Sequence, residues 1–212
     1  MKMWLLLAVL TVTAVFARRA EVDDLNPVAI EGDWLQYHDG SPCWFCWEGT
    51  WRGTWFNIQD FIPGVSSGWI WQSCAWFYHY GGYPWDTSDF YFEIWNGNAV
   101  APVVQVDRRI STASNYSPVY VDWVDCAVEQ NFWCIVNTEL SAGGWPSIVS
   151  DGNNPDSSAV VHSFLSDDFI VWEPLNMNGP CNYMTALIFK SYPPSLLQGT
   201  TWGSLKAVFT DY

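Results

Sequence analysis

The run FYFEIWNG at residues 90–97, followed by VVQVDRRI at 103–110, decides how this chain is read. Phe90 to Trp95 is dense in aromatic and β-branched side chains. It stops at Asn96-Gly97, a dipeptide that supplies the positive φ angles of tight strand connections. The same grammar repeats outward in both directions. Trp51 to Ile58, Trp69 to Tyr80, Val119 to Val124, Phe132 to Thr138, Ile148-Val149, Phe169 to Trp172 and Met184 to Lys190 read as strands. Clusters of Gly, Pro, Asn, Asp and Ser separate them, as at Gly81 to Pro84, Ala142 to Pro146 and Asp151 to Asp156. No stretch keeps a 3.6-residue period for three turns. Short strands between turn clusters predict an all-β, antiparallel β-sandwich.

The first residues predict a compartment. Lys2 precedes an apolar run from Met3 to Phe16, and Val15-Phe16-Ala17 supplies the small residues of a cleavage site. Residues 1–17 read as a secretory signal peptide, too short to span a membrane. Residues 18–30 read as a loose acidic leader, 31–192 as the β-sandwich domain, and 193–212 as a C-terminal tail or edge strand. No later segment is long and apolar enough to cross a membrane, so the expected location is secreted or extracellular.

Export sets the meaning of the six cysteines, because an oxidising setting favours disulfides. Cys126 and Cys134 flank the turn-like Glu129-Gln130-Asn131 and form the favoured pair. Cys43, Cys46, Cys74 and Cys181 are expected to pair among themselves. A redox role for the Cys43-x-x-Cys46 spacing needs a helix N-terminus, and the flanks Ser41-Pro42 and Glu48 to Trp51 carry no helical period. A zinc site needs a second ligand pair, and His38, His79 and His162 stand apart in the sequence.

With 22 acidic and 8 basic residues the chain carries a formal charge of −14, which argues against a nucleic-acid partner. His162-Ser163 with Asp167 or Asp168 resembles hydrolase composition, but no Gly-x-Ser-x-Gly elbow occurs. Glu93, Asp107, Asp122, Asp125, Glu139 and Glu173 offer carboxylate pairs for glycoside hydrolysis, although acidic residues alternating along strands are also the solvent face of a sheet. Asp151, Asn153 and Asp156 lie in a loop of hard oxygen donors suited to a structural calcium ion. No other cofactor is expected.

Five short motifs, Tyr37-His38-Asp39-Gly40, Gly53-Thr54-Trp55-Phe56, Phe90 to Trp95, Gly143-Gly144-Trp145-Pro146 with Asp151, and Asn182-Tyr183-Met184-Thr185-Ala186, together resemble a jelly-roll accessory module of exported bacterial proteins. The resemblance spans about residues 33–192. It departs at His38, where the family carries Asp, and at Thr185-Ala186, where it carries Ile-Arg. It implies a jelly-roll sandwich that accompanies secreted peptidases and cell-surface proteins. The residues Trp202-Gly203-Ser204-Leu205-Lys206 are similar to an ending of some exported bacterial proteins.

Sixteen tryptophans are several times the usual content. Trp55, Trp71, Trp95 and Trp123 fall on strands and are expected to be buried. Trp44, Trp47, Trp85 and Trp145 fall in loop-like contexts, where rings stack on sugars or apolar partners. The expectation is a non-catalytic extracellular module for binding, adhesion or assembly, whose partner is a glycan, a surface protein or a second copy. The alternative is an exported hydrolase of glycosidase type using paired carboxylates.

Overall fold

The computed structural model describes residues 33–78, 88–141, 145–152, 161–177 and 179–191. Twelve strands follow in order: β1 (Asp33–Gln36), β2 (Pro42–Cys46), β3 (Trp51–Asn57), β4 (Ser67–Tyr78), β5 (Asp89–Gly97) and β6 (Pro102–Thr112). Then come β7 (Ser117–Glu129), β8 (Asn131–Asn137), β9 (Ser147–Asp151), β10 (Ser163–Ser166), β11 (Glu173–Pro174) and β12 (Thr185–Lys190). The single helical element among the described residues is a 3-10 turn, Ile58–Asp60. The chain is all-β with antiparallel sheets, as the sequence predicts. The residues read as signal peptide, leader and tail lie outside the described residues.

Two six-stranded sheets share one core. In the first, β4 is central: β7 pairs along one side of it. The other side is divided between β12, which continues to β1, and β9, which continues to β2. The second sheet runs β11-β10-β3-β8-β5-β6. Between them lie Phe56, Phe90, Phe92, Ile94 and Phe132 from the second sheet, against Ile70, Phe77, Val121, Trp123 and Leu187 from the first. Strand β7 shows why such a sequence folds this way: Val119, Val121 and Trp123 are buried while the residues between them face water. That period-2 alternation matches a sheet wetted on one face.

Four sequence readings change. The β5–β6 connection is not made at Asn96-Gly97, which stay in β5. Asn98 makes it, its carboxamide oxygen accepting the Val100 and Ala101 N–H groups at 2.8 and 3.2 Å. Residues 169–172 form no strand but a coil folded onto the outer face of the second sheet. The Cys43 to Cys46 stretch is strand β2 rather than a loop. Cys126 and Cys134 do not flank a hairpin, because β7 and β8 belong to different sheets and the chain arches across the core at Gln130.

No disulfide joins the six cysteines. Cys126 and Cys134 both lie in the shared core but on different sheets, and burial pushes the Cys126 thiol up to about 12. Cys46 donates towards the Ser150 hydroxyl at 3.5 Å, and Cys181 shares that hydroxyl. Burial likewise raises Cys46 and Cys74 to about 12 and Cys181 to about 11. Such thiols stay protonated near neutral pH, the opposite of a redox cysteine.

Candidate functional site

At one end of the sandwich two connections meet: the turn from β2 to β3 and the chain leading into β9. The first carries Trp47 and Glu48, and the second carries Trp145. Gly49 makes the first turn possible, since its φ is +79° and a Cβ there would lie 2.9 Å from the Leu165 Cβ. Trp47 and Trp145 lie half-buried with ring centroids 6.3 Å apart and planes only 25° from parallel. The two rings form an offset stack.

Arg52 holds that arrangement from beneath. It begins inside β3, is only 1% exposed, and reaches up into the junction. Its Nη2 donates to the Trp47 carbonyl at 2.8 Å, its Nε to the Glu48 carbonyl at 3.0 Å, and its Nη1 to the Pro146 carbonyl at 2.7 Å. A guanidinium presents its donors in a rigid fork, so one side chain fixes the backbone of both aromatic connections. Burial pulls the Arg52 pKa below its ordinary value. Beside Trp47 lies a shallow notch with room for about one water molecule, walled by Phe45, Trp47, Leu165, Leu175 and Met177, with Glu48 exposed at its rim. Stacking rings, an apolar notch and a carboxylate acceptor suit a ligand with both faces and hydroxyl edges. Arg52 is the element the sequence reading missed; an arginine amid aromatics in a chain poor in basic residues is its one signal.

The other predicted site residues fall elsewhere. Trp44 lies on β2, packs against the main core and has a buried indole nitrogen without a hydrogen-bond partner. It does not join Trp47. Trp85, Asn153 and Asp156 lie outside the described residues. Asp151 ends β9 and ties backbone: its carboxylate accepts the Asn182 N–H at 2.6 Å and the Asp39 N–H at 3.3 Å. Burial, with the nearby Asp39 charge, raises its pKa to about 6. Among the described residues no three His, Cys, Asp or Glu side chains gather as a metal site. Of the tryptophans expected in the core, Trp123 is 4% exposed, whereas Trp55, Trp71 and Trp95 are half-buried.

A second aromatic region covers the outer face of the second sheet. Trp133 from β8 is fully buried there, between Phe164 at 5.1 Å and Trp172 at 5.0 Å. Phe169 reaches down onto Trp51 and Trp95 at 5.5 and 4.8 Å. The loop bearing Phe169 and Trp172 is locked by Asp168, whose carboxylate accepts the Ile170 and Val171 N–H groups at 2.8 and 2.9 Å. This region is a second small core beneath a loop.

At its border stand two of the predicted carboxylates. Glu93 is buried and accepts hydrogen bonds from Trp95 Nε1 at 2.8 Å and Asn137 Nδ2 at 2.9 Å, with Arg108 Nε at 3.1 Å. Glu139 takes the same Asn137 amide at 2.8 Å. The amide nitrogen therefore occupies the space between the carboxylates. Asp107, Asp122, Asp125 and Glu173 have no such partnership with them.

The hydrolase trio is not assembled either. His162 is clasped between Tyr37, with centroids 3.4 Å apart, and Trp55 at 5.0 Å, and its Nδ1 meets the Trp55 carbonyl at 3.2 Å. The Ser163 hydroxyl instead accepts the Tyr183 N–H at 2.9 Å. Neither a protein-family model, nor a characterised protein, nor a solved structure matches this chain.

Proposed function

We propose that the protein is a non-catalytic extracellular binding module whose ligand is a glycan, taken by Trp47 and Trp145. The observation that carries this reading is the near-parallel ring pair pinned through its backbone by buried Arg52. Rings held in place lose little entropy on binding. Pyranose rings present flat C–H faces that stack on such a surface, and Glu48 accepts hydroxyl hydrogen bonds at its edge.

The reading includes export, a jelly-roll form of the sandwich, and oxidation of Cys126 with Cys134 as a tie between sheets. It also keeps a structural calcium near Asp151, read out by a melting temperature that rises with added calcium. Retention on immobilised polysaccharides or a glycan array tests the central claim. Replacing Trp47 and Trp145 by Ala should weaken retention by about 2 kcal/mol, roughly thirtyfold, with an unchanged far-ultraviolet dichroism spectrum. Unaltered retention would remove the aromatic pair from the function.

A hydrolase reading has one observation in its favour, the closeness of Glu93 and Glu139, whose oxygens both bond to one amide nitrogen. Against it, Glu93 is enclosed and its acceptor positions are occupied by Trp95, Asn137 and Arg108, which leaves no place for a glycosidic oxygen between the two acids. Hydrolysis of a bound glycan that is lost in Glu139→Gln would overturn the non-catalytic reading.

A further inference from the structure

Three of the six cysteines gather around the end of β9 farther from the aromatic pair. Strand β2 flanks β9 on one side, with Pro42 opposite Asp151 and Trp44 opposite Ser150, so Cys43 is the extra residue of a bulge. On the other side residues 182–184 run antiparallel to β9. Tyr183 bridges to Ser150, the Asp151 N–H donates to the Asn182 carbonyl at 2.9 Å, and the Met184 N–H donates to the Val149 carbonyl at 2.8 Å. That register places Cys181 level with Gly152. Gly152 also adjoins Cys43: a Cβ on it would lie 3.6 Å from both the Cys43 Cβ and its Sγ. The backbone there does not require glycine, since its φ lies outside the left-handed region. The missing side chain therefore leaves open the space between two cysteines on the two flanks of one strand.

We propose that Cys43 and Cys181 form a disulfide across Gly152, pinning the two flanks of β9 together. The two thiols differ in access. Cys43 is half-buried, whereas the other five cysteines are buried, Cys181 to 2% exposure. Cys43 is therefore the entry point for an oxidant, a small-molecule disulfide such as oxidised glutathione. Its sulfur attacks one glutathione sulfur, forming a mixed disulfide and releasing one glutathione. Cys181 then attacks the Cys43 sulfur, the bond to glutathione breaks, and the second glutathione leaves with the Cys181 proton. Two protein thiols are oxidised and one glutathione disulfide is reduced to two glutathiones. Cys181 is held for the second step, since its sulfur accepts the Met177 N–H and shares the Ser150 hydroxyl. Burial keeps that thiol protonated near neutral pH, so closure is slow and the bond is structural rather than catalytic. Cys46 is the weaker partner: it too reaches Ser150, at 3.5 Å, but it stands opposite Ile148, farther along β9 from Gly152. The loop closed between residues 43 and 181 takes in most of the described sandwich, the case in which a cross-link constrains the unfolded chain most.

Oxidised glutathione added to the reduced full chain tests this. Chymotryptic cleavage at Trp44 or Phe45 separates Cys43 from Cys46, so mass spectrometry of the alkylated digest identifies the partner of Cys181. The expected product is Cys43 joined to Cys181, absent in Cys43→Ser and in Cys181→Ser and retained in Cys46→Ala. Oxidation should raise the melting temperature of the parent by roughly 5–10 °C more than that of Cys43→Ser, and dithiothreitol should abolish the difference. Gly152→Val fills the gap between the sulfurs and should slow closure by about tenfold. Three results overturn the proposal. They are Cys181 joined to Cys46 or to another cysteine, Cys181 still open to alkylation after denaturation while Cys43 carries glutathione, and a Gly152→Val chain that closes as fast as the parent. The glycan reading is independent of this result, since Trp47 and Trp145 lie at the other end of β2 and β9.

Discussion

The two aromatic regions use the same residue types for opposite ends. On the outer face of the second sheet, Trp133 disappears beneath Phe164 and Trp172, and Phe169 plugs the space over Trp51 and Trp95. At the end of the sandwich, Trp47 and Trp145 stack half-buried on one another, Trp47 also packs against the smaller buried cluster around Phe45 and Trp76, and Arg52 ties the Trp47 and Pro146 carbonyls behind them. Ring count therefore says little about purpose. Trp133 is wholly enclosed by other side chains, whereas Trp47 and Trp145 are only half-buried and keep part of their surface.

Substitutions can break or sharpen that contrast. Trp133→Ala removes the largest fully buried side chain and should cost about 4 kcal/mol, seen as a large fall in the denaturant midpoint, while the folded fraction retains its glycan. Equal loss of binding per folded molecule would erase the distinction between the regions. Arg52→Leu strips three carbonyls of their donor and should cost about 3 kcal/mol. Unlike Trp133→Ala, it should weaken glycan retention even in the molecules that remain folded. Gly53→Ala pushes a methyl to 2.9 Å from Trp133 and 3.0 Å from Trp172, an overpacking worth about 1–3 kcal/mol on the covered face alone.

A smaller effect separates His38 and Asp151, which lie at the opposite end of β2 and β9 from Trp47 and Trp145. His38 is buried, its Nδ1 accepts the Gly40 N–H at 3.2 Å, and burial holds its pKa near 4. Its share of stability is complete above the unfolded value of about 6.5 and is lost as pH falls towards 4. Asp151 runs the other way. With its folded pKa raised to about 6, the fold holds the proton more tightly than the unfolded chain, so stability is gained as pH falls from 6 to 3.8. Relative to the parent protein, Asp151→Asn should therefore lose melting temperature between pH 7 and pH 4.5, and His38→Gln should gain it. Parallel curves for all three would sever both residues from the acid response. The Trp47 and Trp145 double substitution, at half-buried rings, should cost less stability than Trp133→Ala; an equal fall would place those rings with Trp133.

Strands longer than five residues were legible because their period is written in side chains. Val119 to Val124 alternates, and Phe90 to Trp95 announces its hairpin. Short strands were not, since β1, β10 and β11 are four residues or fewer and their pairing is settled by long-range partners such as β12 and β3. Phe169 to Trp172 misled for the reverse reason: apolar content there serves a loop packing on a sheet. At the end of the sandwich, Trp47 and Trp145 were visible as aromatics between turn residues. Their companionship was not, because 98 positions separate them in the chain and nothing local encodes the contact. Trp44 shows the same limit: three residues apart, Trp44 packs against the main core and Trp47 against the smaller cluster around Phe45 and Trp76.

The placement of β12 has a consequence for the order in which the molecule is made. This strand lies between β1 and β4, so residues 185–190 supply one of the inner ladders of the first sheet. A chain emerging with residue 33 first reaches β4 more than a hundred residues before its neighbour exists. Until β12 arrives, β1 has nothing to pair with and one flank of β4 stands open along most of its length. Closing such distant partners is slow compared with helix formation. Maturation of this protein is thus gated by β12, the last strand among the described residues, and a nascent chain halted before Thr185 should remain sensitive to protease while one extended past Lys190 becomes resistant.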